Sequence, residues 1–296
     1  MTYKQVKKLT SEEFKRLSGV HYETFNQMVE IVKKVYCSRK ITGRPPKLKV
    51  EDQVLMTLEY LREYRTYFHL GATWGINEST AYRIVKKIED ILIQAPELRL
   101  PGKKRLIIQE DYQLETVVID VRETPIERPK KKQKKYYSGK KKIHTLKAQV
   151  SISQKDGQIL CTTYGKGSEH DFKLYKRSKV KINQEVKCLA DKGYQGIKKH
   201  HPFSQTPKKR KVCGEGFLPQ NFLRQKPRKS KFSVAERKEN RELAKQRIII
   251  ENVFAHLKRF RILKGRYRNR RKRFGLRFNL IASIYNYELY LNVNQL

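Results

Sequence analysis

Three carboxylates in this chain lie beside segments that read as buried. Asp120 closes the apolar run Val117-Val118-Ile119, Asp191 follows Cys188-Leu189-Ala190, and Glu251 follows Ile248-Ile249-Ile250. An ionised carboxylate out of water is costly, so acids in such places are paired, protonated or bound to a cation. Oxygen donors without the spacing of a Cys/His site select a hard ion, Mg²⁺ or Mn²⁺, over zinc. At about 100° per residue, Arg247, Glu251 and Lys258 share one helical stripe to within ~40°. Ile250, Val253, Phe254 and Leu257 mark a neighbouring stripe that would pack on a sheet. Taken alone, Arg247 and Glu251 also fit a plain i, i+4 surface pair, worth a few tenths of a kcal/mol. Asp171, beside His170, competes with Asp191 for the second acidic position. Glu123 could assist near Asp120, although local hydrogen bonds account for it as well.

These acids need elements to position them. Thr116 to Asp120 reads as a short buried strand, and His144 to Ile152 and Gln158 to Tyr164 as two more, joined by the turn Gln154-Lys155-Asp156-Gly157. His170 to Lys176 reads as a short helix and Val186 to Asp191 as a fourth strand. A loop rich in Lys, Pro and Gly, roughly 198–231, precedes a long helix from about Ser233 to Leu263 and a final apolar helix from Phe274 to Leu291. Strands, a crossover helix, further strands and helices make an α/β mixed sheet, expected over residues 101–296.

Residues 1–100 read as helical throughout. Phe14, Leu17, Phe25, Met28, Val29 and Val32 recur at helical spacing, and Val54, Leu55, Leu58 and Leu61 make one apolar stripe. The prolines of Thr42-Gly43-Arg44-Pro45-Pro46-Lys47 impose an extended linker, which also suits an arm carrying Arg44 into a DNA minor groove. Tyr67 to Val85 then reads as helix, a turn at Gly75 and a second helix capped by Asn77 or Ser79. Ile76, Ala81, Ile84, Val85 and Ile88 would face inward. Ser79, Thr80, Tyr82, Arg83, Lys86 and Lys87 would be left outward for DNA, the layout of a helix-turn-helix. A plain helical hairpin needs the same turn, and the basic outer face is what favours DNA.

The 296 residues carry 68 Lys and Arg against 29 Asp and Glu, a formal net charge of +39. Self-repulsion of that size calls for a polyanion, and nucleic acid gains from counterion release. A membrane partner would call for an amphipathic or long apolar helix or a secretory start, and MTYKQVKKLT is none of these. The expected setting is the bacterial cytoplasm, at the nucleoid. Cys37, Cys161, Cys188 and Cys213 lack a CxxC pair and read as reduced thiols. His200 and His201 read as loop residues near a basic surface. Lys130 to Lys142 holds eight lysines in thirteen residues, Lys140, Lys141 and Lys142 among them. With Tyr136 and Tyr137 interleaved, this segment suits a DNA backbone. So does Lys264 to Arg273, with seven cations in ten residues.

The combination resembles a known family. Asp120-x-x-Glu123-Thr124-Pro125-Ile126-Glu127-Arg128-Pro129, Tyr136 to Lys142, Gly167-Ser168-Glu169-His170-Asp171, Leu189-Ala190-Asp191-Lys192-Gly193-Tyr194-Gln195-Gly196 and Arg247-x3-Glu251-x6-Lys258 are similar to the DDE transposases of bacterial insertion sequences. The insertion-sequence-five type is the nearest pattern, and the likeness runs over about residues 40–265. It departs from that pattern at Ala244, where the family often has Tyr. The resemblance implies an RNase H-like core in which Asp120, Asp191 and Glu251 are catalytic and hold two Mg²⁺ or Mn²⁺ ions. Arg247 and Lys258 would steady phosphates. It also implies cleavage at terminal inverted repeats, joining to target DNA, and a homodimer or higher oligomer pairing two ends. A DNA-binding regulator with a dead nuclease core remains the alternative, and a general endonuclease is a third reading.

Overall fold

The computed structural model describes residues 2–38, 45–108, 114–209 and 231–293. The front of the chain is helical: α1 (Tyr3–Val6), α2 (Ser11–Ser18), α3 (Tyr22–Cys37), α4 (Val50–Glu63), α5 (Tyr67–Trp74) and α6 (Glu78–Leu92). Local chemistry sets several of their ends. Thr10 opens α2 with a capping box to Glu13, and Gly19 closes it in the left-handed region. The expected apolar stripe of α4 is in fact a helix buried all round, since every residue from Gln53 to Leu61 is inaccessible. Periodicity shows one face only. The remaining faces are covered by neighbours, among them α2, α3, α6 and a later helix, that no local pattern announces.

A six-stranded mixed sheet follows: β1 (Thr116–Pro125), β2 (Tyr137–Ser138), β3 (Ile143–Ser153), β4 (Ile159–Lys166), then α7 (Asp171–Ser178), β5 (Lys187–Ala190) and β6 (Ser204–Gln205). Strand β1 lies antiparallel to β3 and parallel to β5, β4 and β2 both pair with β3, and β6 runs parallel to β5. This is the mixed sheet behind a helix-turn-helix region that the sequence led us to expect. Strand β1 runs on past Asp120 to Pro125, because Val121–Pro125 pair with Thr145–Gln149 of β3. Three helices close the chain: α8 (Val234–Leu257), α9 (Arg261–Lys264) and α10 (Phe274–Val293). The long helix expected to reach Leu263 stops at Leu257, and Phe260, in extended backbone, starts α9 afresh.

Alternation along the strands sorts the sheet into two faces. Val117, Ile119, Cys188 and Ala190 pack on the α7 side with Tyr175 and Tyr194. Val118, Val150, Ile152 and Leu189 pack on the other side with Ile250, Val253, Phe254 and Leu257 of α8. That second core continues without a break into α3, α4 and α6 of the front end. Cys161 and Cys188 are buried free thiols and Cys37 is an exposed one, while Cys213 lies outside the described residues. No helix among the described residues is long and apolar enough to cross a membrane.

The segment after α9, Lys264 to Arg273, is partly drawn into the fold, while its Lys264, Arg266, Arg270 and Lys272 stay exposed. Tyr267 is fully buried and pairs with Ile126 at the end of β1. Arg268 lies over the Tyr64 ring and donates to the Tyr64 carbonyl, Arg271 stacks over Tyr136, and Arg273 binds Glu89 and Asp90. These cations fasten the front end to the sheet.

Candidate functional site

Two adjacent parallel strands bring the first two acids together. Ile119 stands opposite Ala190 in the β1/β5 register, so Asp120 and Asp191 come next on neighbouring strands, which lie about 4.8 Å apart. Both point to the α8 side of the sheet, by alternation from Val118 and Leu189. Arg247, near the middle of α8, reaches both. Its Nη2 donates to Asp120 Oδ2 at 3.2 Å and its Nη1 to Asp191 Oδ1 at 3.2 Å. One guanidinium thus serves two carboxylates, and its Nε is buried without a partner.

The balance of charge here is negative. Burial pushes the Asp120 carboxyl up to about 6, against the opposing pull of Arg247 and of the Val121 amide, and Asp191 and Asp171 push the same way as burial. Tyr194, in the turn after Asp191, is fully buried, and its hydroxyl approaches Gln149 Oε1 at 3.4 Å. Burial and these same acids hold its phenol well above the usual tyrosine range.

Asp171 belongs to a different arrangement. It starts α7, on the opposite face of the sheet, and its Oδ1 accepts from Lys147 Nζ at 2.8 Å. Lys147 is itself buried and also donates to the Glu169 carbonyl, with Glu123 Oε1 at 3.6 Å. Glu123 accepts from the Thr145 hydroxyl at 3.1 Å, so it does make local hydrogen bonds. The rival acid therefore already has a cation. It also fixes a glycine: a Cβ on Gly193 would stand 2.8 Å from Asp171 Oδ2. Alternation along β3 could have placed Lys147 on the α7 face, but its pairing with Asp171 had no local signal.

Glu251 sits one turn beyond Arg247 and is exposed, as is Lys258. Among the described residues, no three His, Cys, Asp or Glu side chains converge closely enough to hold a metal ion. The fit to a divalent ion is therefore carried by Asp120 and Asp191. Their oxygens already face one shared cation, and Asp120 is under-compensated. In this state the Arg247 guanidinium stands in for the cation between them.

The front end presents the second candidate surface. Gly75, with φ of 63°, closes α5 in the left-handed region, and Asn77 caps α6 by accepting from the Ser79 amide at 2.9 Å. Gly71 was not singled out in the sequence, yet a Cβ there would meet the Ile76 carbonyl at 2.7 Å, so the two helices approach only because it has none. Ala81, Val85 and Ile88 are buried, with Ile76 and Ile84 partly so. Ser79, Tyr82, Arg83, Lys86 and Lys87 are exposed and Thr80 half-exposed. Lys87 lies over the Tyr36 ring, and Lys47 donates to the Gly75 carbonyl at 2.6 Å. Arg44 lies outside the described residues.

Lys140, Lys141 and Lys142 are exposed at the hairpin between β2 and β3, with Lys141 Nζ donating to the Glu123 carbonyl. His201 departs from the loop-surface expectation: it is buried, its Nε2 2.7 Å from the Val186 carbonyl.

Comparison with known proteins covers both regions of the chain. Residues 119–286 match the family described as DDE superfamily endonuclease, and residues 46–97 match the helix-turn-helix of DDE superfamily endonuclease. The chain is 51% identical over 291 residues to a protein of Microchaete diplosiphon described as the probable transposase for insertion sequence element IS702, covering 98% of this chain and 99% of that protein. It is 25% identical over 248 residues to a protein of Streptomyces albus G described, with the same reservation, as a transposase for insertion sequence element IS112, covering 83% and 84%. No solved structure matches the chain.

Proposed function

We propose that this chain, which belongs to the DDE superfamily endonucleases and among them to the insertion-sequence transposases, binds the terminal inverted repeats of its element and cuts and joins DNA there. The observation that carries this reading is the Asp120–Asp191 pair, two carboxylates at adjacent parallel strands sharing a single arginine on the helix that also bears Glu251. Exposed residues of α6, namely Ser79, Tyr82, Arg83, Lys86 and Lys87 with Thr80 beside them, suit a major groove, and an arm carrying Arg44 suits the adjoining minor groove.

In this reading Asp120 and Asp191, joined by Glu251 from α8, hold two Mg²⁺ or Mn²⁺ ions, whose chemistry when bound is to activate the attacking oxygen and to take up charge on the leaving 3′ oxygen. Arg247 gives up the two carboxylates and turns to the phosphate, where a guanidinium serves equally well. Lys258 and the lysines at 140–142 hold the flanking backbone. A water oxygen attacks the phosphorus, the bond to the 3′ oxygen breaks, and that oxygen leaves as a 3′-hydroxyl. In the joining step this hydroxyl attacks a target phosphodiester in turn, a new phosphodiester forms, and the target's own 3′ oxygen leaves as a hydroxyl. Two ends must be brought together, so the working form is a homodimer or higher oligomer on DNA, in the bacterial cytoplasm.

Purified protein incubated with duplex carrying the element's ends and Mg²⁺ should nick and join it, and Asp191→Asn should abolish both while still binding DNA. Tight binding by folded wild type with no metal-dependent cleavage would establish a DNA-binding regulator instead.

A further inference from the structure

Arg122 is the one residue close to the carboxylates for which neither the fold nor the mechanism above supplies a role. It stands two positions after Asp120 on β1, so it points to the same face of the sheet, about 6.8 Å further along the strand. It is half-buried, and no carboxylate among the described residues pairs with it. Its Nε is buried without a hydrogen-bond partner. Its nearest stacking partner is the Phe254 ring of α8, with the guanidinium carbon 5.9 Å from the ring centre, at the outer limit of a cation–π contact.

Its surroundings are cationic. Lys141 is held in place by donating to the Glu123 carbonyl. Burial first, and then the charges of Arg122, Lys140 and Lys258, hold its ammonium below the usual lysine range, against the opposing pull of Glu123. Those charges, on strand, hairpin and helix alike, are therefore within electrostatic reach of Lys141. A cluster of like charges around a half-buried guanidinium works against folding unless an anion joins it. The anion has to be one that accepts from a planar fork and tolerates several neighbouring ammonium groups.

We propose that Arg122, with Lys141 and Lys258, forms a preformed subsite for a DNA phosphodiester next to the one held at Asp120 and Asp191. This rests on the transposase reading. Arg122 would fix the register of the strand being cut, gripping the neighbouring phosphate while Arg247 serves the reacting one. It is a positioning residue, since it does not touch the reacting atoms.

The test is duplex binding, without divalent ions, by wild type, Arg122→Met and Arg122→Lys, each first shown to be folded by its thermal melt. Wild type should lose affinity with salt, and Arg122→Met should flatten the slope of log K against log salt by about 0.9, one phosphate's worth. Arg122→Lys should keep most of that slope. A set of duplexes bearing one neutral methylphosphonate each, stepped along the cut strand, sharpens the result. Wild type should bind one of them, next to the cut, about tenfold more weakly, whereas Arg122→Met should be indifferent to that position alone. An arginine that merely packs on Phe254 would lower the melting temperature and move neither the slope nor the position response, which overturns the subsite. A wild type whose DNA binding shows no salt dependence would instead sink the transposase reading itself.

Discussion

Two arginine–carboxylate clusters lie in the same molecule, and they are built to opposite ends. In the first, Glu89 of α6 is fully buried and each of its oxygens takes an arginine: Arg277 Nε at 2.7 Å and Arg273 Nε at 2.8 Å. Arg273 also reaches Asp90 at 2.7 Å, and Arg277, 1% exposed, donates to the Tyr267 and Tyr67 hydroxyls at 3.0 and 3.1 Å. Two acids meet two bases, and hydroxyls take the remaining donors. In the second, Asp120 and Asp191 share one cation, Arg247, and burial first, with Asp191 and Asp171 adding to it, raises the Asp120 pKa. A neutral, fully bonded cluster has nothing left to bind and serves as a fastening. An under-neutralised one, at two inner strands of the sheet, still has room for a cation. Charge balance sets the fastening apart from the candidate site.

The comparison breaks most visibly at the fastening. Arg277→Met leaves Glu89 buried beside one arginine fewer, and urea unfolding should show a loss of about 3–5 kcal/mol. Replacing Glu89 and Arg277 together by apolar residues of similar volume should recover much of that. A loss under about 1 kcal/mol for the single change would mean the cluster holds nothing.

A smaller effect should come from Asp120. Its carboxyl is raised in the folded state, so the folded protein binds the proton more tightly than the unfolded chain does. Its contribution to stability is therefore greatest below the unfolded value near 3.8 and is lost as pH rises through about 6. The slope cannot exceed about 1.4 kcal/mol per pH unit. Melting followed from pH 4 to pH 7 without divalent ions should show this decline for wild type relative to Asp120→Asn. Above pH 6, added Mg²⁺ should raise the wild-type melting temperature and leave the Asn variant unmoved. The smallest change sets the scale of an ordinary local bond: Asn77→Ala removes the α6 cap and should cost about 1 kcal/mol in the same unfolding assay.

How much of this was legible depended on whether a residue's partner was local. Asp120 and Asp191 could be read because each follows an apolar run, and their chain context carries that signal. Asn77 and Gly75 could be read because caps and left-handed turns are settled within four residues. Glu89 and Asp90 could not, since an acid pair on an amphipathic helix looks solvated until helix α10, almost two hundred residues later, places Arg277 against it. The cations of Lys264 to Arg273 were only partly legible for the same reason: composition counts charges, and only packing shows that Arg268, Arg271 and Arg273 are engaged by Tyr64, Tyr136 and Glu89. Glu251 was read from a helical stripe that the structure confirms as a stripe, yet exposure on the rim is something only the third dimension decides.

The core that runs unbroken from α3, α4 and α6 into the sheet turns the chain into a pair of fixed calipers. One jaw is the exposed face of α6 and the other is the Asp120–Asp191 pair, and Arg277, Arg273 and Arg268 rivet the hinge shut. In the proposed function the distance from α6 to the carboxylates is therefore set by packed side chains rather than by a tether. If α6 reads the element's ends as proposed, an element evolving new end sequences could change what is read by swapping its outward residues. To change how far its own cut lies from that mark, it would have to rebuild the rivets.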